Sequence, residues 1–481
     1  MSFSVWWPWL AWIITGVTLA AALGAAAHVV LHKRDVRAAI GWTGLILANP
    51  AVGSIAYYLF GINRIRRRAS RIVGDRDGYC AAAAADAAGP ASDLGLSPAG
   101  ATVARILAGT TVRTHLRPGN SIETLVQGDV AYPAMLDAIR KSRRSVALAS
   151  YIFDNDAAGA MFADALEECV RRGVAVRVLI DGVGARYSRP RMTRRLRERG
   201  IRCAEFLPTR VPWRTAYLNL RNHRKVLVVD GSRAFAGGMN IRDGCLLQNG
   251  PRHPIQDIHF GFSGPIVRQL FGIFHEDWQF ATGEALDGPA WELTHERTGD
   301  AVCRAIADGP DEDFETLRWT MLAGISAAHS SIRIVTPYFL PEQPMITALQ
   351  LAALKGVRLD ILVPERSNLR LVQWATMAQL WQLIEAGCRV WLSPPPFDHS
   401  KVLVVDEQWS LVGSANWDPR SLRLNFEVGV ECHDATFAAG LARWVDGRLG
   451  AAQKVSLQWV EGRSLPVRLR DGVARLFAPY L

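Results

Sequence analysis

Charge is missing from the start of the chain. From Val5 to Val30 there is no Asp, Glu, Lys or Arg, and His28 is the only titratable side chain. Such a run exceeds the roughly 20 residues a helix needs to cross a bilayer. No Lys or Arg precedes it, and a second apolar stretch, Ala38 to Gly61, follows at once, which argues against a cleaved secretory leader. Cysteine is sparse and scattered: Cys80, Cys169, Cys203, Cys245, Cys303, Cys388 and Cys432 form no C-x-x-C pair. That excludes a disulfide framework or a zinc ribbon and leaves small buried thiols as the expectation. There is no P-loop, and Gly182-Val183-Gly184 lacks the third glycine of a dinucleotide loop. His275-Glu276 lacks the second histidine of a zinc-protease helix. With 49% hydrophobic and 21% charged residues, the chain is too apolar to be mostly disordered.

What is present begins with a net charge of +10, which favours an anionic partner: nucleic acid, acidic lipid or a phosphorylated substrate. Trp6, Trp7, Trp9 and Trp12 open the first apolar run, and Tyr57, Tyr58 and Phe60 close the second. Aromatic edges suit anchoring at headgroup depth, so two transmembrane helices are expected. Asn49 and Pro50 interrupt the second run, a break that a spanning helix absorbs by packing on its neighbour. The loop carries Lys33, Arg34 and Arg37, and the segment after the second run carries Arg64, Arg66, Arg67, Arg68 and Arg71. The larger cluster places the remainder of a multi-pass protein on the cytoplasmic side, where the same arginines can meet anionic lipid.

The expected organisation is a membrane anchor over 1–71, a linker over 72–115 whose residues 80–104 are rich in Ala, Gly, Pro and Ser, two similar α/β domains over 116–285 and 311–481, and a connector over 286–310. The two domains echo each other. Arg172-Gly173-Val174-Ala175-Val176-Arg177-Val178-Leu179-Ile180 is matched by Lys355-Gly356-Val357-Arg358-Leu359-Asp360-Ile361-Leu362-Val363. The period is too long for a solenoid and implies duplication of a whole domain about a pseudo-twofold axis. Near the end, Leu469, Val473, Leu476 and Phe477 share one helical face. A helix docked on the core is the expectation there, with an interfacial membrane helix as the alternative.

After each repeat comes the same motif. His223-Arg224-Lys225 leads through Val-Leu-Val-Val to Asp230, then Gly237-Gly238-Met239-Asn240. His399-Ser400-Lys401 leads through Val-Leu-Val-Val to Asp406, then Gly413-Ser414-Ala415-Asn416. The β-branched run is a strand, on which side chains two apart face the same way, so each His and Lys can flank one phosphate. Displacement at a phosphodiester needs a nucleophile, a proton donor for the leaving alcohol and cations for the phosphoryl oxygens. One histidine can attack phosphorus to give a phosphohistidine, and the other can protonate the departing alkoxide and then deprotonate the incoming alcohol. Lys225, Lys401, Asn240 and Asn416 can hold the oxygens, so no metal or cofactor is expected. The motif aspartates Asp230 and Asp406 are expected to bind within the scaffold. Asp257 and Glu427, in strand-like runs after the two motifs, are candidates to orient the imidazoles, one for each histidine.

The doubled H-x-K-x4-D motif resembles the phospholipase D superfamily over nearly the whole chain. Tyr58-Leu59-Phe60-Gly61-Ile62-Asn63-Arg64, Leu220-Arg221-Asn222-His223-Arg224-Lys225, Gly413-Ser414-Ala415-Asn416-Trp417-Asp418-Pro419-Arg420-Ser421 and Leu424-Asn425-Phe426-Glu427 look like bacterial cardiolipin synthases. The resemblance implies two duplicated phospholipase D-type domains, each a mixed sheet flanked by helices, behind an inner-membrane anchor. It implies a phosphatidyltransferase that makes cardiolipin and glycerol from two phosphatidylglycerols, with His223 as nucleophile, His399 as acid and Asp257 and Glu427 as the orienting carboxylates. Hydrolysis or transfer to another headgroup alcohol, a nuclease, and a non-catalytic lipid-binding scaffold are the alternatives. Two membrane helices argue against nucleic acid, and intact motifs argue against a scaffold. The residues do not fix an oligomeric state.

Overall fold

The computed structural model describes residues 6–33, 36–61, 94–110, 112–208, 220–310 and 313–480. The chain divides into two compact units, Met1–Arg68 and Ala69–Leu481.

In the first unit the charge-free run forms one helix, Trp6–His32. Its portion Trp9–His32, 24 residues with a mean hydropathy of 1.9, is long and apolar enough to cross a membrane. Ala22 and Val29 pack against Ile46 and Tyr57. His28 Nδ1 sits 2.8 Å from the Tyr57 hydroxyl, which gives the one titratable group of the run a polar partner.

The second apolar stretch does not run as one helix through the Asn49-Pro50 break. It divides into Val36–Ala48, Pro50–Ala56 and a π-helical turn, Tyr57–Gly61. Pro50 has no N–H for the ladder and disfavours helical backbone before it. Asn49 is accordingly extended (φ −144°, ψ 91°), and its Oδ1 accepts the Val52 N–H at 3.1 Å, which restarts the helix. The basic cluster Arg64–Arg71, most of the linker and the side chains of Arg34 and Arg37 lie outside the described residues.

The second unit is built on one sheet. Its strands in chain order are β1 Arg117–Val126, β2 Ser145–Ser150, β3 Ala175–Asp181, β4 Cys203–Phe206, β5 Val226–Val229, β6 Arg233–Gly237, β7 Ile255–Gln256, β8 Ile258–Ser263, β9 Ala301–Asp308, β10 Ser331–Val335, β11 Arg358–Pro364, β12 Arg389–Ser393, β13 Phe397–Asp398, β14 Val402–Val405, β15 Trp409–Gly413, β16 Glu427–His433 and β17 Gln453–Val455. Fifteen of them form a mixed sheet in the order β17-β12-β11-β10-β14-β15-β16-β9-β1-β8-β6-β5-β2-β3-β4. Read outward from the β9–β1 seam, the halves repeat each other: β16, β15, β14, β10, β11 and β12 answer β8, β6, β5, β2, β3 and β4. That palindrome is the expected pseudo-twofold duplication. Helices Ile266–Thr282 and Ala435–Leu449 cover one face in a core common to both halves, where Phe260, Phe271 and Phe274 join Val402, Val404 and Val430. On the other face each half has its own core.

Two parts of the expected organisation change. The connector 286–310 contains β9, which pairs with β16 from Glu427↔Asp308 to His433↔Val302 and so belongs to the sheet. The halves meet where buried Asn120 donates from Nδ2 to the carbonyls of Arg117 and Ala301, at 2.6 and 3.0 Å. The linker 72–115 contains a helix, Pro98–Leu107, capped by Ser97, whose oxygen accepts the Gly100 N–H at 3.1 Å. Ala99, Val103 and Leu107 recur at helical spacing and enter the core of the second half beside Leu317 and Met321. Six cysteines are free thiols, five of them buried, and Cys80 lies outside the described residues.

The C-terminal helix Leu465–Leu476 docks as expected, but through its other face. Asp471 and Ala474 are buried, while Leu469, Val473, Leu476 and Phe477 are exposed.

The motif aspartates lie at the tight turns after β5 and β14, with φ of 51° at Asp230 and 53° at Asp406. Asp230 accepts the amides of Arg143, Arg144 and Ser145 at 2.8–3.0 Å. Asp406 accepts those of His329, Ser330 and Ser331 at 2.8–2.9 Å. Burial alone would raise the Asp406 pKa, but these amides lower it below its ordinary value. Each aspartate ties the β-turn to the first residue of the neighbouring strand. Asp406→Ala is expected to cost about 2 kcal/mol, since charge-assisted bonds to the backbone are lost while water reaches two of the amides. A thermal melt of the solubilised protein checks this as a midpoint lowered by several degrees.

Candidate active site

The two histidines are brought together by strand pairing between the halves. Asn222 bridges to Phe426 in parallel register, and the His223 N–H donates to the Phe426 carbonyl at 2.9 Å. In the other direction, β13 pairs in parallel with β7, and the His399 N–H donates to the Gln256 carbonyl at 2.7 Å. Each histidine therefore lies beside the residue that opens a strand in the opposite half: Glu427 at the head of β16, and Asp257 just before β8. His223 Nδ1 is 2.9 Å from Glu427 Oε2, and His399 Nδ1 is 2.8 Å from Asp257 Oδ2. The carboxylates anticipated for the histidines are thus exchanged between halves, each serving the motif of the other repeat.

With each Nδ1 engaged by a carboxylate, Nε2 is the nitrogen left for phosphorus. Burial pushes His223 down to about 4, so its ring is neutral near neutral pH and donates Nδ1–H; burial, with Lys401 beside it, also holds His399 well below its ordinary value. The carboxylates differ. For Glu427 burial acts upward, but His223, Lys225 and Ser414 bring it down to about 2. It accepts from Ser414 Oγ and Ser421 Oγ, each at 2.5 Å, and from Asn425 Nδ2 at 3.1 Å. For Asp257 burial wins over Lys401 and the Ile258 amide, and its pKa rises to about 6.

Lys225 and Lys401 sit immediately before β5 and β14, two residues past their histidines, each with Nζ 2.5 Å from the carbonyl of its own histidine. Lys401 Nζ is also 3.1 Å from His399 Nε2, and Lys225 Nζ lies 5.3 Å from the Tyr151 ring centre. Burial lowers both lysines, Lys401 to about 8. Tyr151 and Tyr338 stand edge-on to His223 and His399, at 5.0 and 6.4 Å between ring centres. Asn240 is fixed by accepting the Ile152 amide at 3.1 Å through Oδ1, which leaves Nδ2 as its donor. Asn416 has a buried Oδ1 with no partner among the described residues. Asp230 and Asp406 stand at the far ends of the motif strands.

Two imidazoles backed by carboxylates, two buried lysines and two amides fit displacement at a phosphodiester, with one ring as nucleophile and the other as proton carrier. The chain is matched at residues 135–251 and 321–449 by the family described as cardiolipin synthase, PLD-like domain, and at 20–61 by the phospholipase D-nuclease N-terminal family. It is 34% identical over 470 residues to cardiolipin synthase A of Pseudomonas aeruginosa (strain LESB58), covering 95% of this chain and 93% of that one. It is 31% identical over 455 residues to the cardiolipin synthase of Geobacillus kaustophilus (strain HTA426), covering 94% and 90%. The chain belongs to the cardiolipin synthase family. Its fold is also that of a phosphatidylserine synthase from Haemophilus influenzae Rd KW20, with a TM-score of 0.62 at 14% identity over 79% of this chain and 100% of that chain.

In this member of the cardiolipin synthase family several positioning groups had escaped the motif reading. Arg224 donates to the Glu427 carbonyl at 2.9 Å and to Asp277 at 2.7 Å, while Asn222 Nδ2 donates to Asp277 at 2.8 Å. In the second half Arg448 donates to Asp398 at 2.7 Å, and Asp398 accepts the Ser400 amide at 3.0 Å. Ser421 and Asn425 lie within the family-like flanks of the second motif, but nothing in their spacing assigns them to a carboxylate. Gly238 meets the other half directly. A Cβ there would stand 3.0 Å from Asp257 Oδ1 and Lys401 Cδ, and 3.1 Å from the His399 carbonyl. Gly238→Ala is therefore expected to keep the fold and lower turnover by about tenfold or more, roughly 1.4 kcal/mol of transition-state stabilisation. Circular dichroism and a turnover assay on the same preparation check it.

Proposed function

We propose that this protein is a phosphatidyltransferase that converts two phosphatidylglycerols into cardiolipin and glycerol through a phosphohistidine. The observation that carries this reading is the pair of histidines, each held by a carboxylate of the opposite half, in a chain of the cardiolipin synthase family. In the first step His223 Nε2 attacks phosphorus of one phosphatidylglycerol, and His399, protonated at Nε2 over the ionised Asp257 once the anionic phosphodiester is bound, gives that proton to the departing glycerol oxygen. In the second, His399 takes the proton of the terminal hydroxyl of another phosphatidylglycerol, whose oxygen displaces His223. Lys225, Lys401, Asn240 and Asn416 hold the phosphoryl oxygens as charge builds.

Support for His223 as nucleophile comes from its carboxylate. Glu427 remains ionised under four hydrogen bonds, and so steadies the positive charge that forms on a phosphorylated ring. His399 must gain and lose a proton, and its weaker partner suits that duty. The protein is proposed to sit in the bacterial inner membrane as a multi-pass protein with the catalytic unit on the cytoplasmic side. The apolar helix Trp9–His32 and the basic residues after Gly61 support this.

Incubation of the purified, solubilised chain with phosphatidylglycerol alone is expected to yield cardiolipin and glycerol in equal amounts by mass spectrometry. Phosphatidic acid as the main product would make water the acceptor and sink the synthase reading. His223→Ala and His399→Ala are each expected to lose on the order of a thousandfold in turnover while staying folded. Appreciable activity in either variant contradicts the two-histidine mechanism.

A pH profile separates the carboxylates. Asp257 must be ionised to steady the protonated His399, so activity should fall as pH drops through about 6, where Asp257 takes up its proton. Asp257→Asn should lose that acid limb together with most of its rate, whereas Glu427→Gln should lose rate and keep the limb. An acid limb retained in Asp257→Asn assigns it to another group.

A further inference from the structure

The C-terminal helix Leu465–Leu476 is turned inside out relative to an ordinary surface helix. Its inward face is small and polar: Ala474 and Asp471 are buried, and Asp471 is bound by Arg463 at 2.5 Å and Arg470 at 2.7 Å. Its outward face carries Leu465, Leu469, Val473, Leu476 and, one residue on, Phe477, which are 67%, 60%, 55%, 75% and 50% exposed. At 100° per residue these side chains form one continuous stripe, with Arg468 and Arg475 along one edge and Arg470 at the other. The helix has three arginines, and its one acidic residue is buried.

Packing links the helix to the candidate active site. The helix lies on the helix Arg370–Met377, where the Arg470 guanidinium stacks over Trp374 at 4.4 Å, and Ala474 packs with Ala375 and Leu340. Leu369 and Leu371, at the start of that neighbouring helix, are exposed as well. Asn368, next in the chain to Leu369, accepts the hydroxyl of Tyr338, the ring beside His399. On the other side, the turn Ala478–Tyr480 packs on the helix Pro419–Arg423, just past Asn416.

We infer that this helix docks the catalytic unit onto an anionic lipid surface, lying in the headgroup layer with its leucines among the acyl chains and Arg468 and Arg475 against lipid phosphates. The inference rests on the proposed lipid substrate. A bilayer fits an apolar stripe edged by arginine, and arginine-edged stripes gain from anionic headgroups as well as from buried area. Contact at this place would also bring the active site near the surface from which the substrate is drawn.

The test uses the full chain in liposomes of phosphatidylethanolamine and phosphatidylglycerol, with photoreactive benzoylphenylalanine in place of Leu469 and, separately, of exposed Val130 on the first half. Irradiation should give a lipid adduct on the Leu469 peptide, seen by mass, and at least tenfold less at Val130. An adduct to any protein peptide, whether of a second copy or of the same chain, overturns the inference. So does the absence of a lipid adduct, or an equal yield at both positions. Independently, Leu469→Glu/Leu476→Glu should lower turnover on liposomal phosphatidylglycerol at least tenfold relative to turnover on a short-chain, monomeric phosphatidylglycerol. An unchanged ratio overturns it as well. Because the adduct is read by mass and not by turnover, a chain inactive on phosphatidylglycerol would count against the proposed reaction and leave the docking test intact.

Discussion

The hydrogen bonds from the His223 and His399 amides to the carbonyls of Phe426 and Gln256 are the contacts on which the site depends. Through them each half lends a short edge segment to the other, and each imidazole arrives beside a carboxylate that its own repeat does not provide. A single repeat would place a histidine and a lysine on a strand with nothing behind the ring. The shared core of Phe260, Phe271 and Phe274 with Val402, Val404 and Val430 holds the two lent segments in register. A shift of one residue at either segment would turn the histidine away from the carboxylate.

The sheet is consistent with that requirement. A continuous sheet fixes the halves more rigidly than two domains meeting through side chains, because β9 and β1 are joined to their own halves along whole strand edges. Buried Arg304 and Glu431, bonded at 2.8 Å on neighbouring strands, and the Asn120 bonds at the seam replace water for polar groups that the joint encloses. Rigidity here serves geometry: in-line displacement tolerates little error in the distance between nucleophile, phosphorus and leaving oxygen.

Much of this was legible in the chain. The duplicated motif gave both histidines, both lysines, the asparagines and the scaffold role of Asp230 and Asp406, because strand periodicity and a tight turn are local properties. Asp257 and Glu427 were identifiable as carboxylates at the heads of strands, yet their exchange between halves was not, since it depends on contacts over more than a hundred residues. The Asn49-Pro50 break was visible, and it was read as tolerated where proline and the asparagine cap divide the helix. The Pro98–Leu107 helix was hidden in an alanine-rich composition that resembles a linker, although Ser97 and the spacing of Ala99, Val103 and Leu107 carried its signal. Strand β9, Ala301–Asp308, was hidden for another reason: only its partners make it structure. At the C-terminus the apolar stripe was plain, but its direction could not be read, because periodicity identifies a face and not what the face meets.

The two repeats have diverged where chemistry asks for difference. Gly238 leaves room for Lys401 and the His399 carbonyl to approach, while Ser414 at the matching position of the second motif fills its place with a hydroxyl for Glu427. Arg224 follows His223 and secures the Glu427 backbone, whereas Ser400 follows His399 and makes no such tie. Both changes strengthen the carboxylate behind His223 and leave the one behind His399 able to titrate. Symmetric halves would give two histidines of equal character, and a displacement that needs one nucleophile and one proton carrier gains nothing from equality. The fold keeps the pseudo-symmetry that gathers the groups into one site, and these differences lie at residues that set how firmly each ring is held.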